Sequence, residues 1–399
     1  MPYGSKSRFP SSLRRLLIVM TVASVSALTI AAAPAPASEG VDVALEWMDI
    51  SKTMLAPPAA PTGIENFRAW AITWLAAARA VNLEPSPGPA HHYREAAFAA
   101  AIHESLVTFV PTRSAELDQA LAITLSRIPD GPAETNGVAA GRATTRAVLA
   151  DRVGDGLDNA SVQPPYTPPP AAPGVWRPIS PDTPAVWPGP PNARPFVLNS
   201  ADQFRPGPPP ALGSDQYRAD WTEVRDYGAV NSTVRTPEQT VIAKFMQLEP
   251  DPYYPAVRAA LQELTGSLKK QAELAAIVNL ATIDALITIY DAKYHYVLWR
   301  PITAIREADT DGDPLTSPDP TWAPLLPTPG HPEYLSGHAG HMGAVVEALK
   351  AFHGRRTGRA VYAHQPEHAR RYPHIRVLGP TRAGHDQCAS LGRVPLPNH

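Results

Sequence analysis

Cysteine is almost absent from this sequence of 399 residues. Cys388 carries the single thiol, so no disulfide can form within the chain. Cysteine usage therefore does not indicate whether the protein works in an oxidising or a reducing compartment. A chain of this length can bury a sizeable hydrophobic core, so its fold needs no covalent cross-link.

Charge is scarce as well. Only 18% of the residues are charged, and the formal net charge is -2. Nucleic acids and anionic membrane surfaces attract proteins that present an excess of positive charge. We therefore expect no nucleic-acid partner. The composition leaves the oligomeric state open, with a homo-oligomer among the alternatives.

Motifs for several common chemistries are missing. The sequence contains no glycine-rich phosphate loop, no nucleophile elbow and no His-Glu-x-x-His motif. Asp309, Asp311 and Asp313 are spaced like the opening of a calcium loop. Pro314 and Pro320, however, stand where such a loop needs glycine and glutamate. We expect a solvated acidic turn at this position.

The N-terminal residues have the composition of a secretory signal. Four basic residues precede an apolar run at 16–33, and a stretch of small residues follows at 34–38. We expect a signal peptide over residues 1–37, cleaved after Ala37, and a secreted or periplasmic protein. The alternative is an uncleaved membrane anchor. No later segment is expected to cross a bilayer, so we expect no stable membrane insertion after cleavage.

Two regions, 38–160 and 236–358, place apolar residues at the spacing of amphipathic helices. Each region is predicted to be a set of packed helices, and the predicted fold class is therefore all-α. The clearest helical patterns cover residues 93–110, 236–246, 254–264, 271–306 and 339–353.

Residues 161–235 separate the two helical regions and are rich in proline, above all between 163 and 212. Each proline removes a backbone donor and blocks the continuation of a helix. We predict an extended strap that runs over the protein surface, with a disordered linker as the alternative. Aromatic side chains favour docking of this strap onto the helices, namely Trp176, Trp187, Phe196 and Phe204.

A lysine followed after six residues by Arg-Pro is the strongest local motif. Seven positions make about two helical turns, so Lys293 and Arg300 are predicted to project from one helix face that ends near Pro301. A lysine point charge and a forked guanidinium together suit a tetrahedral oxyanion. The alternative is a solvated basic pair. Asp284 and Asp291, on the same predicted helix, are expected to pair with basic side chains.

A Ser-Gly-His step marks the start of the last predicted helix. The Ser336 hydroxyl and the Gly337 amide can donate hydrogen bonds to an anion, and a helix N-terminus favours negative charge. His338 is then placed as a general acid or base beside the bound group. The alternative is a helix-capping serine with an incidental histidine.

The two motifs together resemble those of the vanadium-dependent haloperoxidase and type 2 phosphatidic acid phosphatase superfamily. The resemblance implies an all-α fold built of helical bundles of that type. It also implies that Lys293, Arg300, Ser336 and Gly337 hold vanadate, with phosphate as a competing oxyanion, and that His338 handles protons. Leu335 departs from the family, which has proline at that position.

Trp299, directly before Arg300, resembles the haloperoxidase branch and is included among the expected cofactor-binding residues. The resemblance implies an oxidoreductase that oxidises a halide with hydrogen peroxide at bound vanadate. Two alternatives stay open. One is a secreted acid phosphatase that hydrolyses a phosphoester at the same site, and the other is a non-catalytic helical protein whose anion site is vestigial.

The family's third motif, Arg-x5-His, supplies the histidine that bonds vanadium or forms a phospho-enzyme. Arg393 and His399 have this spacing but enclose two prolines. Residues 359–399 are rich in histidine and arginine and lack apolar periodicity, so we interpret them as an atypical tail. We hypothesise a shifted reading frame, because codons allowed for this tail can spell Arg-x5-His one base along. The gene's nucleotide sequence tests this hypothesis, and the missing motif predicts impaired catalysis.

Overall fold

The computed structural model describes residues 41–58, 61, 63–83, 88–180, 183–247 and 253–353. Within these ranges the regular structure is entirely helical, which confirms the predicted all-α class. The predicted signal peptide and the atypical tail lie outside the described residues. The α-helices are α1 (Val43–Met54), α2 (Ile64–Val81), α3 (Ala90–Phe109), α4 (Ser114–Leu125), α5 (Pro132–Asp151), α6 (Asn159–Val162), α7 (Asp215–Gly228), α8 (Pro237–Met246), α9 (Tyr254–Gln262), α10 (Leu268–Tyr296), α11 (Pro301–Arg306) and α12 (Gly337–His353).

Helix α10 is the centre of the fold. Its 29 residues are mostly apolar or small, and it packs against both α2 and α12. By length and composition α10 could span a membrane, which the sequence analysis did not anticipate, but 67% of its most apolar window is buried inside the protein. The helix therefore has the burial of a core helix, and its C-terminal turn carries Lys293 into the interior.

Helices α3 and α5 form the closest helix pair in the N-terminal region. A Cβ atom at Gly137 would lie 2.5 Å from the carbonyl oxygen of Tyr93 and 2.9 Å from the Cβ of Ala96, and Gly141 faces the backbone of Ala97 in the same way. The facing surface of α3 is rich in alanine, so the two backbones approach directly. Interiors packed this tightly leave no room for added atoms.

The helix predicted over 271–306 is interrupted. Helix α10 ends at Tyr296, Val297 adopts a left-handed conformation with φ of 49°, and Arg300 is extended. The reason is Pro301, because a proline disfavours the helical conformation of the residue before it. Pro301 therefore opens α11 instead of closing α10. The prediction that Lys293 and Arg300 share a helix face is wrong.

The proline-rich strap is held on the helices by buried contacts. The Asp284 carboxylate of α10 accepts hydrogen bonds from the backbone amides of residues 196, 197 and 198 at 2.7–2.9 Å. About two helical turns further along α10, Asp291 forms a bidentate ion pair with Arg205, with N–O distances of 2.6 and 2.8 Å. The predicted basic partner is thus confirmed for Asp291 and wrong for Asp284.

The aromatic residues of the strap divide into docked and exposed ones. Trp176 is buried, and Trp187 and Phe196 pack against the main hydrophobic core. Phe204 is 66% exposed, so the docking expected for it is wrong. Phe204 lies between the segment held by Asp284 and the Arg205 ion pair, and the described residues that pack against the hydrophobic core do not include it.

Helix α7 interrupts the predicted strap and was missed in the sequence. Its Ser214 side chain caps the first turn, and Tyr217 and Trp221 face inward. The Trp221 indole donates to the carbonyl of Ala304 at 3.1 Å. Many of the other residues of this helix are charged, so its two inward-facing aromatic residues are too few to give a clear helical periodicity in the sequence.

The turn around Asp311 is acidic but not solvated, so that expectation is wrong. Asp311 accepts hydrogen bonds from the Asp313 amide and from the Thr316 hydroxyl, at 2.7 and 2.8 Å. Asp313 accepts from the Arg218 guanidinium at 2.8 Å. Both carboxylates are buried, and these internal partners replace the water that a surface turn would use.

The close contact of α3 and α5 predicts the effect of a single methyl group. We expect Gly137→Ala to destabilise the protein by about 1–3 kcal/mol, because the helices must separate to admit the Cβ atom. Chemical denaturation measures the change in unfolding free energy. Gly343→Ala on α12 is the control, since the described residues leave open space there and alanine favours a helix by about 1 kcal/mol. Equal effects of the two substitutions would contradict this packing.

Candidate functional site

Lys293 lies at the bottom of the site, in the last turn of α10. Only 1% of its surface is exposed, and its ammonium donates hydrogen bonds to the carbonyls of Pro332 at 3.1 Å and Glu333 at 2.8 Å. A protonated lysine has three donors. Two of them hold the loop before α12, and the third has no hydrogen-bond acceptor among the described residues.

Burial lowers the pKa of Lys293 to about 7, and the nearby Arg300 guanidinium adds to the effect. The Glu333 carboxylate opposes the shift because it favours the charged ammonium. Lys293 is therefore poised between its charged and neutral forms near neutrality. A bound anion would favour the charged form.

Arg300 reaches the same loop from the other side. Its extended backbone before Pro301 directs the chain towards residue 333, where Nη1 lies 2.8 Å from Oε2 of Glu333. The Nε atom is buried and has no hydrogen-bond partner among the described residues. Lys293 and Arg300 thus converge on the loop before α12, although not through a shared helix face.

The loop that receives both cations is fixed by the backbone. The amide of Glu333 donates to the carbonyl of Leu298 at 3.0 Å, and the Tyr334 hydroxyl donates to the carbonyl of Gly207 in the strap at 3.1 Å. Backbone bonds from Trp176 and Trp299 tie the strap to the segment after α10. The strap therefore forms one wall behind the site.

Ser336 and Gly337 begin α12. The Ser336 hydroxyl oxygen accepts a hydrogen bond from the amide of Ala339 at 3.3 Å, which is the capping role considered as the alternative. Its hydroxyl hydrogen remains able to donate. Within the described part of the chain, a Cβ at Gly337 would meet nothing within 4 Å, so this side of the helix start is open.

His338 is the exposed histidine of the site, one residue into α12. Partial burial of its ring lowers the pKa, and the positive charge of Lys293 lowers it further. The imidazole is therefore neutral near pH 7 and can accept a proton. Its ring centroid lies 5.9 Å from that of the buried His341.

Two residues of the site were not singled out by the sequence motifs. His331 is pushed to a pKa of about 3 by burial and by Lys293 and Arg300, and its Nδ1 lies 2.9 Å from the carbonyl oxygen of Pro332. Glu333 is the carboxylate that contacts Arg300. The signal that could have revealed Glu333 is its position, because it is the acidic residue nearest to the Ser-Gly-His step.

Trp299 lies behind the site. Its indole is buried in a second hydrophobic cluster, and its amide donates to the carbonyl of Gly174 at 2.9 Å. These contacts fix the backbone directly before Arg300. The other members of the cluster are Tyr217, Trp221, Ala229, Ile302, Ala304, Ile305, Ala308 and Trp322.

The residues present fit a tetrahedral oxyanion such as vanadate or phosphate. The site combines a buried ammonium, a guanidinium whose Nε–H finds no acceptor in the described part of the chain, and a helix N-terminus with a serine hydroxyl that is open over the same part. Each of these groups donates hydrogen bonds to negative oxygen. Over the described ranges, no group of three histidine, cysteine or acidic residues could hold a bare metal ion.

Part of the sequence is similar to vanadium haloperoxidases. Residues 273–383 match the family model described as the VCPO second helical-bundle domain. Over 160 residues the chain is 29% identical to the vanadium chloroperoxidase of Curvularia inaequalis. That match covers 33% of this chain and 25% of the fungal protein, so the chain aligns with about a quarter of the length of this curated relative.

Solved structures agree with the fold. The chain is similar to a bacterial vanadium-dependent iodoperoxidase, with a TM-score of 0.67 and 22% identity over 89% of this chain and 91% of that one. It is also similar to the apo-type structure of a bacterial vanadium-dependent chloroperoxidase, with a TM-score of 0.58 and 18% identity over 76% and 81% of the two chains. These likenesses show the fold, and together with the family match over residues 273–383 and the paired motifs they support a relationship to the vanadium haloperoxidase superfamily.

Proposed function

We propose that this protein binds vanadate through Lys293, Arg300, Ser336 and the Gly337 amide, and that the site is built to oxidise a halide with hydrogen peroxide. The observation that carries the proposal is the convergence of two cations on the loop before α12, with a buried Arg300 Nε–H that has no acceptor among the described residues. Phosphate has the same shape and a similar charge, so it is expected to compete for the site.

Each residue has a defined task in this proposal. When bound, vanadate would supply the Lewis-acidic centre at which hydrogen peroxide is activated towards a halide. Lys293 and Arg300 balance the negative charge of the oxyanion. Ser336 and the start of α12 orient its oxygens. His338, neutral near pH 7, takes up a proton at a ring nitrogen and releases it within the site.

Export through the signal at residues 1–37 is part of the proposal, and so are small-molecule substrates. Catalysis by this sequence is proposed to be weak. The histidine that would bond the vanadium atom belongs to the Arg-x5-His motif, which the helical part of the sequence lacks. Losing a bonding ligand costs more than losing one electrostatic contact, which is worth roughly 10²-fold to 10³-fold in rate.

Binding tests the cation pair directly. We expect vanadate and phosphate to raise the Tm of the full chain, because both stabilise the folded state that binds them. Arg300→Ala should weaken binding by about tenfold or more, since one charge-assisted contact is worth about 1.5–3 kcal/mol. Arg146→Ala, an exposed arginine on α5, is the matched control and should leave the affinity unchanged. A wild-type protein that neither anion stabilises would mean that the site is vestigial.

Activity tests the missing histidine. Bromide oxidation with vanadate and hydrogen peroxide is expected to be weak or undetectable, and phosphoester hydrolysis without vanadate is measured beside it to separate the phosphatase alternative. Strong bromide oxidation that disappears when vanadate is chelated, and survives in His399→Ala, would contradict both the weak catalysis and the interpretation of the tail.

The low pKa of Lys293 predicts a pH dependence of stability. Above about pH 7 the folded lysine is neutral, whereas the unfolded lysine stays protonated up to its ordinary pKa of 10.5. The unfolded state then binds more protons, so stability rises with pH over this window. In phosphate-free buffer we expect the unfolding free energy of the wild type to rise, relative to that of Lys293→Met, by up to about 1 kcal/mol per pH unit between pH 7 and 9. Chemical denaturation at several pH values measures this difference. If the difference in unfolding free energy between the two proteins stayed constant from pH 7 to pH 9, a buried, titrating Lys293 would be refuted.

A further inference from the structure

Glu333 places a carboxylate inside a site whose other charged members are cations. Its Oε2 lies 2.8 Å from Nη1 of Arg300, and its charge acts on Lys293 as well. The side chains of Arg300 and Glu333 are 13% and 20% exposed. A site that had only to attract negative charge would not contain this group, because the carboxylate cancels one of its two positive charges.

The Arg300–Glu333 pair leaves hydrogen-bonding capacity unused on both sides. The two atoms are at ion-pair distance, but without the alignment of a hydrogen bond, so Oε2 of Glu333 accepts none from the described residues. Nε of Arg300 likewise donates none. A buried donor or acceptor without a partner costs about 1–3 kcal/mol. Among the described residues, the arrangement thus leaves the Nε–H of Arg300 without an acceptor, and Oε2 of Glu333, although ion-paired, keeps lone pairs that can accept from a ligand.

Only some oxyanions can use both groups. Near neutral pH, vanadate and phosphate keep at least one hydroxyl, which can donate to a carboxylate while their other oxygens accept from Arg300. Sulfate has the same tetrahedral shape but carries no proton. A sulfate oxygen could accept a hydrogen bond from Nε of Arg300. Another sulfate oxygen would then face Oε2 of Glu333, and the two negatively charged oxygens would repel each other.

The backbone keeps Glu333 in place. Its amide donates to the carbonyl of Leu298, and its carbonyl accepts from the ammonium of Lys293. The backbone of Glu333 therefore cannot move away from the two cations without breaking bonds that hold the loop. Resting on the proposed function, we propose that Glu333 is a specificity-determining residue that selects oxyanions carrying a hydroxyl and rejects sulfate.

The test measures binding of sodium phosphate and sodium sulfate by isothermal titration calorimetry, on the full chain at pH 7 and constant ionic strength. The wild type should bind phosphate about tenfold or more tightly than sulfate. Glu333→Gln should bring this ratio near one, chiefly by improving sulfate binding, because the amide NH₂ can donate to a sulfate oxygen. Glu333→Asp keeps a carboxylate and should keep the preference for phosphate.

Glu347→Gln is the matched control, since Glu347 lies on the exposed face of α12 and pairs with Lys350. It should leave both affinities unchanged. If Glu333→Gln kept the wild-type ratio of phosphate to sulfate affinity, and circular dichroism showed the variant folded, the role of Glu333 would be overturned while the proposed function would stand. Equal binding of the two anions by the wild type would have the same consequence. If the wild type bound neither anion, the proposed function would fall, and the role of Glu333 with it.

Discussion

The buried ammonium of Lys293 is the interaction on which the site depends. It joins the end of the central helix to the loop before α12 through the carbonyls of Pro332 and Glu333. Burying a lysine costs free energy unless its donors are satisfied. The two carbonyls satisfy two of these donors, and the same two hydrogen bonds fix the loop to the helix. Glu333, Ser336 and His338 all follow this contact in the sequence, and their positions derive from it.

The strap supports the site although its described residues contribute no charged group to it. A proline-rich segment cannot form a helix that would pair its own backbone N–H and C=O groups. These groups therefore need hydrogen-bond partners in other parts of the protein. Asp284 and Asp291 of α10 supply them, one by accepting three amides and the other by pairing with Arg205. The strap in turn holds residues 297–299 through Gly174 and Trp176. The central helix thus positions Arg300 indirectly, by way of the strap.

Function and stability oppose each other in this arrangement. The pKa of Lys293 is lowered, His331 is kept neutral by burial and by the nearby cations, and Arg300 has a buried donor without an acceptor in the described ranges. Each of these conditions costs free energy in the folded protein. The large alanine-rich interface of α3 with α5 and the long core helix α10 supply apolar packing that offsets the cost.

The sequence by itself determined the helical class, the approximate limits of α3, α8, α9 and α12, and the motif residues of the site, because periodicity and short motifs are local properties. Only the tertiary structure decided how those residues meet. Glu333 belongs to the site because the ammonium of Lys293, forty residues earlier, donates to its carbonyl. The extended backbone of Arg300, in contrast, is a local effect of Pro301 that helical periodicity does not reveal. Helix α7 and the exposure of Phe204 depended on which surfaces lay opposite them. A contact such as the Lys293–Glu333 bond joins residues distant in sequence, and no local pattern encodes it.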